Sequence, residues 1–315
     1  MRRLIECVPN FSEGRDHKRI EALAAAMSGV KGAWVLDVHS DPDHNRSVVT
    51  LSGEPDAVGE AALRGLAKAA ELIDLRRHAG EHPRIGATDV LPFVPIEGVT
   101  MEDCIALARN AGREIWARHQ IPVYFYEEAA LRPERKKLES VRSGEFEYLR
   151  DEVMRNADRA PDIGGPALHP SAGAVAVGAR KFLIACNINL DTPAVSIAKK
   201  IARLIRSSNG GLPHVKAIGV ALKERQLAQV STNLTDFEET SIRRVFEVVR
   251  LEAARHGCGI RSTEIVGLVP RRALDLNEAA YLQLEDFSPA HKILEDRLEA
   301  KINEEATDGI PLRSI

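Results

Sequence analysis

The chain has 315 residues, of which 44% are hydrophobic and 28% charged, enough apolar material for a sizeable core and about two domains' worth of length. Lys and Arg number 43 against 46 Asp and Glu, and aromatic residues make up only 4%, which excludes the basic surface and stacking platforms of a nucleic-acid binder. No stretch approaches the ~18 apolar residues of a membrane span, and the N-terminal apolar run is too short for a signal peptide. The four cysteines, Cys7, Cys104, Cys186 and Cys258, form no CxxC pair, so the expectation is a cytoplasmic protein in a reducing compartment.

In chain order, Leu4–Val8 reads as a strand and Pro9–Gly14 as a loop. Asp16 is placed to cap a helix running to about Ser28, with Gly29 after it. Trp34–Val38 and Arg46–Leu51 read as strands joined by the polar segment Ser40–Asn45. A helix follows from Pro55 to about Leu75, and Val90–Pro95 returns to apolar residues as a strand. The order is β-α-β-β-α-β. Met101–His119 reads as a helix, Pro122–Tyr126 as a strand and Pro133–Arg155 as a charged helical stretch. Gly and Pro at high density make Pro161–Gly173 an ordered loop.

The second half repeats the pattern. Lys181–Asn189 is a strand, Pro193–Arg206 a helix, and Val215–Leu222 and Leu227–Asn233 a hairpin. Phe237–Arg255 is a helix and Ile260–Val269 the closing strand. Ile293, Leu294 and Leu298–Ile302 suit a last amphipathic helix. The expected fold class is α/β (α+β), two subdomains that are each a β-α-β-β-α-β sandwich of sheet and helices. The expected boundaries are 1–179, 180–285 and a helical extension over 286–315.

Three segments carry candidate chemistry. His78-Ala79-Gly80-Glu81-His82 matches the H-x-x-E-H spacing of a class of zinc peptidases, but that chemistry needs both histidines one turn apart on a helix. Gly80 weakens a helix there, and Pro83 pushes His82 toward extended backbone. Alternatively, His82 is a general base beside Glu81, Arg84 and Asp89, its ordinary pKa of ~6.5 suiting proton transfer near neutrality. A plain solvated loop histidine is the third possibility. Asp37–Arg46 holds His39, His44 and three aspartates, a set that suits a divalent metal, an Arg46 carboxylate anchor or an ordinary capped turn. Gly164–Gly173 leads to Arg180 and Lys181. It lacks both GxxxxGK[ST] and GxGxxG, so it is either a linker or a backbone-rich wall for a flat ligand.

Glu6–Gly14, Gly80–Val90, Gly178–Leu190, Leu227–Asn233 and Glu264–Pro270 together resemble the formiminotransferase family, in the expected order over most of residues 4 to 275. The resemblance implies a two-subdomain transferase, a homodimer, with tetrahydrofolate held as co-substrate in a charged tunnel between the subdomains and with no metal. The implied reaction moves the formimino group of N-formimino-L-glutamate to N5 of tetrahydrofolate in histidine degradation, and a separate cyclodeaminase then acts on the product. By the same resemblance His82 is the catalytic histidine, and Gly164, Gly165, Pro166, Ala167, Leu168, His169, Pro170, Ser171, Ala172 and Gly173 form the folate-binding loop. His39 stands where relatives carry an aspartate that assists the histidine, leaving Asp37, Asp41, Glu81 or His39 itself as the orienting group. Asn10, Arg46, Arg84, Arg180 and Lys181 are supporting candidates, the cations supplying a positive field for carboxylate-rich substrates. A formyl donor, N-formylglutamate, is the rival within the family. A metal-dependent hydrolase and a non-catalytic folate-binding module are the rivals outside it.

Overall fold

The structure is a computed structural model that describes residues 2–42, 44–80 and 82–308. The chain divides between Arg180 and Lys181 into two compact units.

In the first unit β1 (Leu4–Cys7) and β2 (Asn10–Phe11) follow one another between the same two partners. Pro9 separates them, because it has no N–H for the ladder, although its carbonyl still accepts from Val49 N–H at 3.0 Å. The segment expected to be all loop therefore contains a second short strand. Helix α1 (His17–Ser28) starts where Asp16 accepts hydrogen bonds from the N–H groups of Lys18 and Arg19. Strand β3 (Ala33–Asp41) is longer at both ends than expected, with a register shift between Val35 and Asp37 that breaks its alternation. It pairs with β4 (Arg46–Gly53), and helix α2 (Pro55–Leu72) follows with proline in its first turn. Strand β5 (Thr88–Glu97) precedes α3 (Met101–His119), which opens on a Thr100–Asp103 capping box.

Strand β6 (Val123–Glu127) comes next. The stretch expected to be one charged helix is broken into a 3-10 turn, α4 (Leu138–Val141) and α5 (Glu145–Glu152). The break is at Gly144, whose φ of 84° is a left-handed conformation that a continuing helix does not use. Strand β7 (Val175–Ala179), not anticipated, pairs in parallel with both β5 and β6. The sheet thus runs β3, β4, then β1 with β2, then β5, β7 and β6.

The second unit has the strands β8 (Ile184–Leu190), β9 (Val215–Leu222), β10 (Leu227–Leu234) and β11 (Ile260–Val266). Helix α6 (Val195–Ile205) buries Ala198, Ile201, Ala202 and Ile205, an i, i+3, i+4, i+7 stripe. Helix α7 (Ile242–Arg255) begins later than its apolar pattern suggested, because Ser241 caps it by accepting from Arg244 N–H. The sheet order β11-β8-β10-β9 is the order of β5, β1, β4 and β3 in the first unit. In both sheets the second strand of the set is outermost: among the described residues β3 pairs only with β4, and β9 only with β10. Short helix α8 (Pro289–Lys292) and α9 (Leu294–Asp308) follow, the latter where the final amphipathic helix was expected. No described helix is long and apolar enough to cross a membrane.

Candidate active site

The end of β3, the start of β4, β2 and the start of β5 lie side by side in the first sheet, in registers that pair Asp41 with Arg46, Asn10 with Val48, and Phe11 with Thr88. The loops leaving this one end of the sheet therefore converge. Gly14 makes the convergence possible, since a Cβ there would overlap the carbonyl oxygen of Asp41 and the backbone of Arg46.

His82 sits in the loop before β5, with its Nδ1 2.8 Å from Nη1 of Arg46 and 2.8 Å from the carbonyl oxygen of Pro83. A guanidinium only donates and a carbonyl only accepts, so the ring satisfies one of them at a time. With Nδ1–H donated to Pro83, Nε2 carries a lone pair and is a base. With Nδ1 accepting from Arg46, Nε2 carries the proton and can only donate a hydrogen bond. The contact with Pro83 thus selects the tautomer whose Nε2 can take up a proton and give it back. Burial, followed by the charges of Arg46 and Arg142, pushes His82 down to about 3 against the opposing pull of Asp89, so the ring is neutral at physiological pH.

Arg46 is held by three groups. It donates to Oδ1 of Asn10 and to Oδ2 of Asp89 at 3.3 Å, besides its contact with His82. Asp89 is 1% exposed and also accepts from Arg142 through Oδ2 and from Ile85 N–H through Oδ1 at 2.8 Å. Burial raises the Asp89 carboxyl, but Arg142 and Arg46 outweigh it and hold it below the usual range. Arg46 is itself lowered to about 9, by burial and by the neighbouring Arg142.

His78 is not a free ligand. Its Nδ1 accepts from Nε of Arg84 at 3.0 Å, which leaves Nε2–H to donate to the carbonyl of Asn45 at 3.0 Å. Arg84 is buried and also donates to Glu145 and Glu147 of α5, so its charge is matched rather than offered to a ligand. Residues 78–80 and 82 are not helical, and the one-turn geometry of the zinc reading is absent. Glu81 and Asp43 lie outside the described residues.

The remaining candidates fall into three groups. His44 stands edge-on to His82 with ring centroids 5.9 Å apart, and Asp41 accepts from its backbone N–H at 2.9 Å. His39 is exposed on β3 opposite Val48, and among the described residues the polar partners of His82 are Arg46 and Pro83. Gly164–Gly173 belongs to the first unit, and its last residues are stitched to the loop after His82. Ala87 N–H donates to Ala172 and Ala174 N–H to Ile85, both at 2.9 Å, and His169 pairs with Gly173. Gly165, Pro166, Ala167 and Pro170 are exposed, whereas Leu168, Ala172 and Gly173 are buried. Arg180 hydrogen-bonds to Tyr126 on β6, whereas Lys181, in the second unit, is paired with Asp236. Arg142 was not among the residues singled out from the sequence. Nothing local distinguishes it from its charged neighbours, and only the fold brings it to Asp89.

Residues 4–180 match the family model described as the formiminotransferase domain, N-terminal subdomain, and residues 185–302 match the formiminotransferase domain. The chain is 45% identical over 298 residues to the glutamate formimidoyltransferase of Streptococcus pyogenes serotype M1, covering 95% of this chain and 99% of the relative. It is 46% identical over 303 residues to the Thermoplasma acidophilum protein of the same name, covering 96% and 99%. The formimidoyltransferase-cyclodeaminase of Mus musculus is 45% identical over 287 residues, which is 89% of this chain and 52% of that protein. With both parts matched in order, the chain belongs to the formiminotransferase family.

Proposed function

We propose that this protein is a glutamate formimidoyltransferase that moves the formimino group from N-formimino-L-glutamate to N5 of tetrahydrofolate. N5 attacks the amidine carbon and forms the new N–C bond. His82, in the tautomer whose Nδ1–H is held by Pro83, takes the N5 proton on Nε2. The old C–N bond breaks as the glutamate nitrogen receives that proton, so no net charge or proton is left behind. Holding both substrates in one site removes much of the entropic barrier, and one histidine serving as base and then acid contributes ~10²–10⁴-fold.

The observation that carries this reading is the 45% identity to a stand-alone glutamate formimidoyltransferase over nearly the whole of both chains. It is supported by the His82–Arg46–Asp89 geometry and by the backbone stitching of 169–174 to the His82 loop, which favours Gly164–Gly173 as a folate wall. Tetrahydrofolate is a substrate here, and the residues named need no metal to move the proton. A cytoplasmic homodimer goes with this reading, with its mass in solution as the check. The test of function is formation of 5-formimino-tetrahydrofolate by the purified chain, with and without a chelator. Turnover that resists chelation and falls ~10²–10⁴-fold in His82→Ala supports the reading; a folded chain that does not transfer the group overturns it.

A further inference from the structure

Arg46 and Arg142 converge on the same oxygen of Asp89, whose other oxygen is already occupied by Ile85 N–H. Among the described residues the buried cluster therefore holds two guanidiniums and one carboxylate. The side chains of Arg46 and Arg142 are only 17% and 11% exposed, and Nε of Arg142 is buried with no partner among the described residues. Among the described residues the nearby groups do not cancel the extra charge. His82 is neutral, and Tyr126 on β6, pushed up to about 12 by burial, is neutral too. Glu145 and Glu147 of α5 are engaged by Arg84, and Asp41 of β3 accepts from the backbone N–H of His44. An unmatched cation in a desolvated site is costly until an anion joins it, and planar guanidiniums suit a carboxylate.

The covalent structure of the proposed donor selects which carboxylate that is. The nitrogen that exchanges the formimino group is bonded to the Cα bearing the α-carboxylate, so the carboxylate carbon is about 2.5 Å from that nitrogen, two bond lengths away. The γ-carboxylate is farther along a flexible chain, and the glutamate tail of the folate lies beyond an aromatic spacer. His82 Nδ1 is 2.8 Å from Nη1 of Arg46 and Nε2, across the ring, passes the proton to the reacting nitrogen, so the α-carboxylate is the donor anion carried nearest to Arg46. We infer that Arg46 and Arg142, held on Asp89, bind the α-carboxylate of the donor amino acid and set the specificity for it. The inference rests on the proposed transferase reading and adds to it a residue, Arg142, and a recognised group.

The experiment compares two donors, N-formimino-L-glutamate and N-formimino-4-aminobutyrate, which lacks only the α-carboxylate, on the wild-type chain and on Arg142→Gln and Arg142→Lys. The expected result is a rise of roughly 10- to 100-fold in KM for the first donor in Arg142→Gln, a smaller rise in Arg142→Lys, and little change for the second donor. KM for tetrahydrofolate stays within about twofold. An equal loss for both donors, an unchanged KM, or a rise confined to tetrahydrofolate overturns the assignment, the last transferring the pair to the folate tail. If Arg142→Gln does not fold, the same donor dependence in Arg142→Lys decides. Should the wild type show no turnover with either donor, the transferase reading fails separately, and calorimetry with L-glutamate against 4-aminobutyrate judges the arginine pair. A tenfold preference for glutamate that is lost in Arg142→Gln or reduced in Arg142→Lys keeps it, and equal binding removes it.

Discussion

Replacing Asp89 by Asn tests whether one buried carboxylate holds the site together. The amide preserves shape and can still accept from Ile85 N–H, but it leaves Arg46 and Arg142 facing each other without an anion. Removing one partner of a buried pair costs about 3–5 kcal/mol. For a unit of this size each kcal/mol corresponds to roughly 2–4 °C, so the expected fall in melting temperature is roughly 6–20 °C. The sign with pH follows from the lowered Asp89 pKa. The carboxylate contributes its stability above its unfolded pKa and loses it as pH falls through the lower folded value. The deficit of Asp89→Asn is therefore constant between about pH 5 and 8 and shrinks only in strong acid. Circular-dichroism melts and urea unfolding of wild type, Asp89→Asn, Arg142→Met and the double variant measure this. The double variant has one cation fewer to strand, so it is expected to be more stable than Asp89→Asn alone, a coupling opposite to additivity. An Asp89→Asn variant within about 1 kcal/mol of wild type, or a double variant that loses the sum of both singles, would refute the reasoning.

Other consequences of the site are equally open to measurement. His82 holds off its proton until about pH 3, whereas the unfolded chain takes one up near 6.5, so stability declines as pH falls through that window. The ring carbon resonance of His82, assigned by its absence in His82→Gln, should show no titration between pH 8 and 5, and the acid limb of the melting curve should flatten in that variant. Arg84→Met removes donors to His78, Glu145 and Glu147 at once. It should cost about 2–3 kcal/mol, discounted for the half-exposed glutamates, and lower kcat/KM at least tenfold at a temperature where the protein is still folded, because the 78–84 loop that carries His82 loses its tie to α5. Gly14→Ala drives a Cβ into the backbone of Asp41 and Arg46 and should destabilise the first unit by about 1–3 kcal/mol. A melt unchanged within a degree would show that the two loops move apart freely.

The repeated β-α-β-β-α-β order was legible because it rests on long periodic helices and apolar runs, which local sequence encodes well. Asp16 and Pro55 marked helix starts by capping and by a fixed φ, both local effects. Strand β7 was not legible. Val175–Ala179 is a short run of small residues directly after a Gly/Pro-rich loop, and its strand character comes from parallel pairing with β5 and β6. The same holds for β2, two residues beyond a proline. In the candidate site, His82, Asn10, Arg46 and Asp89 were visible as motif residues, and the fold brings those four together. Their mutual geometry was not visible. The sequence suggested a carboxylate beside His82, whereas Arg46 stands between His82 and Asp89. Arg142 lies 53 positions from its partner Asp89, in a stretch where charge is commonplace, and no spacing rule reaches that far.

The shared strand order of the two sheets leaves the same position outermost in each, and among the described residues no strand pairs with the far edge of either outer strand. Such a row is a template for another copy of the chain, and the defence is charge and irregularity rather than coverage. On β3 the register shift and the polar sequence Asp37, His39, Asp41 spoil a flat ladder. On β9 Lys216 projects beside the 60%-exposed Ile218. Solubility of this protein at high concentration therefore depends on a few charged side chains along these two outer strands, and selection on Lys216 would be for staying apart rather than for turning over.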